Sequence, residues 1–168
     1  MIKYRLKDPT QEISSYNKLR PSVRVFAFNE QKEVAMIHYS GKDAFGFRNH
    51  FESIGGGIEE NETKEMALKR EALEEAGLVL KDIMFLDNVI DEYALIKQIN
   101  LHFYYYAEIE GYRKSSPTLE ESLVQDDLVF KSIEAWIEVL SLPVFGVNAL
   151  VHQRELLMMK VLQNRLEK

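Results

Sequence analysis

The segment from Gly56 to Leu78, G-G-I-E-E-N-E-T-K-E-M-A-L-K-R-E-A-L-E-E-A-G-L, constrains this chain more than any other. Its second half has helical spacing. Thr63 is placed to act as N-cap and Gly77 as the residue just past the C-terminus. At the helical period, Leu68, Ala72, Ala76, Leu73 and Met66 cover one broad apolar arc. Glu71, Glu74 and Glu75 fall on the opposite side, within roughly 100° of one another. They crowd the last turn, where like charges repel and the helix dipole favours cations. A solvated acidic face is the ordinary reading of such a run. Two features count against it here. Neither Lys64 nor Lys69 sits at a good pairing offset from all three acids, and a glycine-rich loop precedes the helix. Such loops let the backbone approach a ligand closely.

A hard divalent cation resolves the conflict. Mg²⁺ and Mn²⁺ prefer carboxylate and carbonyl oxygens and keep several waters. Such an ion binds substrate phosphates and activates water for attack at phosphorus. The paired acids of a glycosidase flank a sugar from opposite sides. Acids crowded on one helix turn do not fit that role.

Around this segment the chain reads as one domain over residues 1–168. Its length suffices for a sizeable core, and a composition of 46% hydrophobic and 29% charged residues is that of an ordinary globular protein. A strand is broken at Asp8-Pro9. V-R-V-F-A-F after Pro21 and E-V-A-M-I-H-Y read as hairpin partners. Gly41 to Asn49 reads as a loop, followed by a short strand from Phe51 to Ile54. After the acidic helix come two long strands, of which L-H-F-Y-Y-Y-A-E-I suits a central place. Gly111 to Gln125 reads as a polar loop. L-V-F-K-S-I-E-A-W-I-E-V then reads as a strand with Trp136 near its end. A C-terminal helix from about Val144 to Leu166 carries an apolar stripe of Leu150, Leu157, Met158, Val161 and Leu162. Mixed hairpins and crossovers predict a mixed sheet covered on both faces.

The net charge of −6 argues against general binding to a nucleic-acid duplex. There are no cysteines, which removes disulfides and thiolate chemistry and fits a reducing cytoplasm. No apolar run approaches a membrane span, and MIKYRLKDPT has no apolar core of a signal peptide. The expectation is a cytoplasmic protein without a membrane partner.

The acidic segment resembles the Nudix box, G-x5-E-x7-R-E-U-x-E-E-x-G-U, with U a bulky apolar residue. Gly56, Glu62, Arg70, Glu71, Glu74, Glu75, Gly77 and Leu78 match, and Ala72 fills the other U position. The resemblance implies an α/β fold, a Nudix-like α/β/α sandwich with a central mixed β-sheet. It implies Mg²⁺-dependent or Mn²⁺-dependent hydrolysis of a diphosphate linked to another moiety. Glu71, Glu74 and Glu75 are then expected metal ligands with the Gly55 carbonyl, and one of the acids orients or deprotonates water. Arg70 is expected to pair with Glu62 and brace the loop. Two positions depart from the common pattern. Ile54 replaces a frequent proline, and Asn61 replaces a frequent glycine at a turn that tolerates positive φ in Asn.

A further acidic ligand is expected from Glu120, Glu121, Asp126 or Asp127. Arg20, Arg24 and Arg48 are candidate phosphate contacts. Tyr93, Phe103, Tyr104, Tyr105 and Tyr106 include candidate stacking rings, with core as the commoner fate of aromatic strand residues. His38, His50, His102 and His152 show no metal-ligand spacing and receive no role. Absence of cysteine argues against an isopentenyl diphosphate isomerase. The expected substrate is a nucleoside triphosphate or an ADP-ribose-like nucleotide sugar, ranked equally. A catalytically silent nucleotide sensor and an interaction domain built on the C-terminal helix are the alternatives. A homodimer is compatible with the family, and nothing in the sequence specifies one. Relief of like-charge repulsion further predicts that Glu75→Gln raises the metal-free melting temperature.

Overall fold

Strand β2, Lys18–Phe28, runs parallel to β6, Gln98–Tyr112, in register from Lys18 opposite Gln98 to Phe28 opposite Glu108. This pair is the spine of a mixed sheet. The computed structural model describes residues 3–8, 15–43, 46–94, 96–116 and 125–168. The other strands are β1, Tyr4–Leu6; β3, Val34–Asp43; β4, Gly46–Glu52; β5, Leu78–Tyr93; and β7, Gln125–Lys131. The order is β1-β5-β6-β2-β3-β4, with β7 paired to β3. β1 joins β5 in parallel, while β5 pairs β6, and β3 pairs β4, in antiparallel fashion.

Among the described residues three helices cover the sheet: α1, Lys64–Ala76; α2, Ile133–Leu140; and α3, Val147–Leu166. Alternation along β2 divides the core. Val23, Val25 and Ala27 face α1 and pack with Ala67, Leu68 and Ala72. Phe26 and Phe28 face the other side and pack with Trp136 of α2 and Met158 and Leu162 of α3. This is the three-layer sandwich expected, and the β6 aromatic strand lies between β5 and β2 as expected.

Three local readings are corrected. Residues read as a loop before Asn49 form the ends of β3 and β4, paired from Ile37 opposite Glu52 to Asp43 opposite Gly46. The strand expected to carry Trp136 ends at Lys131, and Trp136 belongs to α2. Ser132 caps that helix by accepting from the Ala135 N–H at 3.2 Å. Ile133, Trp136, Ile137 and Leu140 then follow the helical period. Trp136 is fully buried and its Nε1–H donates to the Val34 carbonyl at 2.7 Å, a core role. The third concerns α1. Its ends are as read, with Thr63 Oγ1 accepting from Met66 N–H and Gly77 left-handed at φ +65°. Its faces differ: Met66 is 57% exposed, while Glu71 and Glu75 are buried. Opposite the apolar stripe, Glu74 reaches solvent, whereas Tyr39 and the Gly55–Gly56 loop cover Glu71 and Glu75.

Candidate active site

Arg70 ties the glycine loop to α1. Its Nε and Nη2 donate to the two carboxylate oxygens of Glu62, each at 2.9 Å, a bidentate pair. Nη2 also donates to the Gly57 carbonyl at 3.0 Å. Glu62 accepts in turn from the Glu59 N–H at 3.0 Å, across a turn in which Asn61 adopts φ +66°. The Arg70 hydrogen bonds hold the Glu62 carboxyl below the usual range, and Glu62 raises the Arg70 guanidinium reciprocally.

The three helix acids have different partners. Arg70 Nη1 donates to Glu71 at 2.9 Å and to Glu74 at 3.1 Å. Glu75 accepts from the Gly55 N–H at 2.8 Å and from the Tyr39 hydroxyl at 3.1 Å. Burial, then the Glu75 carboxylate, push the Tyr39 phenol well above its ordinary value. Because both Glu75 oxygens already accept hydrogen bonds, the expectation that Glu75→Gln raises metal-free stability is withdrawn. Glu74 is the acid nearer solvent, with its side chain 42% exposed.

Among the described residues, no three His, Asp or Glu side chains converge as a cation-binding cluster. Glu71 and Glu75 do share a cavity wall with Gly55 and Gly56, while Arg70 holds Glu74. Two buried carboxylates offer hard oxygen donors, which suit Mg²⁺ or Mn²⁺ rather than a soft metal. The fit is close-grained: a Cβ on Gly56 would fall on the Glu71 carboxylate.

The cavity has a volume of about 260 Å³. All three arginines singled out in the sequence line it, in different states. Arg24 is buried and committed, with Nη2 2.5 Å from Glu52 and Nη1 donating to the Ser53 carbonyl at 2.9 Å. Arg48 is a half-buried wall residue. Arg20 lies over the glycine loop, its Nη2 3.1 Å from where a Gly57 Cβ would stand. Its side chain makes no hydrogen bond or ion pair to a described residue. Tyr93 also lines the cavity, whereas Tyr104 is a fully buried core residue. Glu120 and Glu121 lie outside the described residues, as does the Asp126 side chain; Asp127 is exposed.

A buried polar network behind the cavity had no counterpart in the sequence reading. Arg154 of α3 donates to Glu52 at 2.5 Å, Asp91 at 2.6 Å and Glu155 at 3.0 Å. Burial would raise the Glu52 carboxyl, but Arg24 and Arg154 outweigh it and hold it well below the usual range. His102 sits between Ser22 Oγ at 2.6 Å and Asp91 Oδ2 at 3.0 Å. Burial, only partly offset by Asp91, lowers it to about 4, so the ring is neutral near pH 7. A neutral ring beside a carboxylate places its proton on Nε2 and accepts the Ser22 hydroxyl at Nδ1. One sequence trace existed. Gln98, Asn100 and His102 alternate with Ile99, Leu101 and Phe103, and a polar series at period two marks one strand face.

Comparison with known proteins adds the family. A NUDIX domain model matches residues 18–152. RNA pyrophosphohydrolases from two strains of Histophilus somni are each 35% identical over 71 residues, covering 42% of this chain and 34% of theirs. The match thus spans about a third of the length of these curated relatives. A NUDIX hydrolase from Nitrosomonas europaea aligns with a TM-score of 0.65 at 13% identity, over 88% of this chain and 90% of its own. A MutT protein from Methanosarcina mazei Go1 aligns at 0.64 and 17% identity, over 94% and 100%. These two likenesses concern the fold, while the domain model spans most of the sequence, and the chain belongs to the Nudix family.

Proposed function

We propose that this protein is a divalent-cation-dependent pyrophosphohydrolase of nucleoside diphosphate derivatives. The observation that carries the reading is one cavity lined both by buried Glu71 and Glu75 and by Arg20, whose side chain has no partner among the described residues. Water attacks one phosphorus, the bridging P–O bond breaks, and two phosphorylated products leave with net release of a proton.

Glu71 and Glu75 would hold Mg²⁺ or Mn²⁺ with the Gly55 backbone, and Glu74 would complete the set by leaving Arg70. The bound ion supplies charge neutralisation on the diphosphate and polarisation toward attack. The chain supplies the rest. Arg20 meets phosphate oxygens with a fixed fork of donors. Arg70 and Glu62 hold the glycine loop at a constant height above the acids. Tyr39 and the Gly55 N–H fix the Glu75 carboxylate so that it is already oriented when substrate arrives.

The test is product identification over a panel of nucleoside triphosphates, nucleotide sugars and triphosphorylated RNA with Mg²⁺. Turnover that collapses in Glu71→Gln and Glu74→Gln is expected. No turnover on any member, with the variants indistinguishable from wild type, overturns the reading. One observation favours a binding-only sensor: Arg70 ties Glu71 and Glu74 together. Calorimetry showing tight nucleotide binding with no product would support that alternative.

A further inference from the structure

One wall of the cavity carries a hydrogen-bond relay whose direction is fixed. It starts at Asp91, which is completely buried. Arg154 Nη1 and His102 Nε2 lie 2.6 and 3.0 Å from Asp91 Oδ2. Burial works against ionisation there, but the charge and hydrogen bonds of these partners more than reverse it, so Asp91 is a carboxylate. A carboxylate only accepts. Its other oxygen, Oδ1, lies 2.8 Å from the Asn100 amide, so the Asn100 NH₂ faces Asp91. The Asn100 carbonyl oxygen then faces away, where it meets the Gln98 amide at 2.5 Å. By the same logic the Gln98 NH₂ points at Asn100. Each amide orientation follows from the charge at the end of the chain and not from a free choice of flip.

What remains is the carbonyl oxygen of Gln98. The side chain lines the cavity and is 5% exposed. Its one side-chain bond to a described residue is the donation to Asn100. The oxygen is therefore the end of a cavity-lining side chain, and it has no bond to a described residue. A fixed acceptor in so enclosed a place calls for a donor.

Position along the strands gives the acceptor its place. Arg20, which lies over Gly57, is in register with Asn100. Gln98, the first residue of β6, stands two residues before Asn100, on the same face and roughly 7 Å farther from the glycine loop. The sequence glycine loop, Arg20, Asn100, Gln98 therefore runs from the phosphate end outward. Tyr93 and Ile96 line the same cavity and supply apolar surface for a flat or puckered ring.

We infer that Gln98 is a specificity-determining residue whose fixed carbonyl oxygen reads a hydrogen-bond donor on the moiety attached to the diphosphate. That donor is an exocyclic amine of a nucleobase or a hydroxyl of its sugar. The inference rests on the pyrophosphohydrolase reading for the direction of the cavity, and its test separates the two.

The experiment compares wild type with Gln98→Met, which keeps the volume and removes the acceptor. Substrate pairs differ by one donor: ATP against purine riboside triphosphate, GTP against inosine triphosphate, and ATP against 2′-deoxy-ATP. Steady-state kinetics give kcat and KM, and calorimetry with the matching diphosphates gives Kd. Wild type is expected to prefer the donor-bearing member of at least one pair by about tenfold in kcat/KM and in Kd. Gln98→Met is expected to erase that preference through KM, with kcat held. The pair that shows the preference identifies the source as base amine or sugar hydroxyl. Gln98→Leu repeats the comparison if the Met variant does not fold. Discrimination below about twofold in every pair, or a preference that survives Gln98→Met, overturns the inference. A Kd preference that Gln98→Met erases, with no turnover at all, upholds it and sinks the pyrophosphohydrolase reading instead.

Discussion

Arg154 and Glu52, on α3 and at the end of β4, lie 2.5 Å apart with the arginine side chain 1% exposed. The pair ties the C-terminal helix to the strand that enters the glycine loop. Arg154→Met would leave Asp91 and Glu155 in the interior with their main cation gone. Removing one member of a buried pair typically costs about 3–5 kcal/mol. Urea unfolding should show a loss of that order, and a loss below about 1 kcal/mol would mean the network contributes little.

Much of this was legible beforehand because it is local. The caps of α1 follow from residues close in sequence, and the Arg70–Glu62 pair from the motif that the same short segment resembles. The Arg154–Glu52 contact joins residues 102 positions apart, and no pattern in either neighbourhood announces it. A charged residue on a helix reads as exposed until the opposing charges are known. Trp136 was misplaced for a related reason: Ser132 is a single capping residue between two apolar runs, and those runs read as one strand. Glu71 and Glu75 were placed on the correct side of α1, but what covers that side comes from β3 and the loop.

Gly56→Ala tests how tightly the loop sits on the acids. The added methyl group would fall on the Glu71 carboxylate and must displace it. Activity should drop by at least about tenfold, since a displacement near 1 Å at a catalytic group costs that much or more. Gly111→Ala is the control, because a Cβ there meets nothing within 4 Å. Equal kinetics for the two variants would contradict the contact.

Arg70→Lys keeps the charge and loses the fork. The two bonds to Glu62 and the one to the Gly57 carbonyl cannot all be made by an ammonium group. A stability loss of about 1–2 kcal/mol is expected by denaturant titration. A larger proportional loss in kcat/KM should accompany it, because the loop would lose its fixed height.

Acid should weaken the fold before its carboxylates titrate. His152 is lowered to about 4, chiefly by burial and then by His50, and His102 to about 4 by burial. Both are neutral in the fold, so their contribution is complete above the unfolded value near 6.5. It is lost as pH falls from 6.5 toward 4, because the unfolded chain takes up protons that the fold refuses. His152 Nε2 accepts from the Phe51 N–H at 3.2 Å, a bond that protonation there would break. His152→Gln should flatten the fall in melting temperature between pH 6.5 and 4.5, with about 2 kcal/mol less pH-dependent loss.

Mg²⁺ should raise the melting temperature of the wild type, since an ion that binds the fold and not the unfolded chain stabilises it by mass action. In Glu71→Gln the rise should shrink or vanish. Equal shifts in both proteins, measured at matched ionic strength with Na⁺ as reference, would place the ion elsewhere.

The bond between α3 and β4 also bears on the order in which the molecule is made. A ribosome releases Glu52 and Asp91 long before Arg154, so a growing chain holds both acids while the arginine that joins them is still unsynthesised. Premature termination before residue 154 would therefore leave buried Asp91 without its arginine and the strand entering the glycine loop without its tie to α3, a product prone to unfolding and proteolysis.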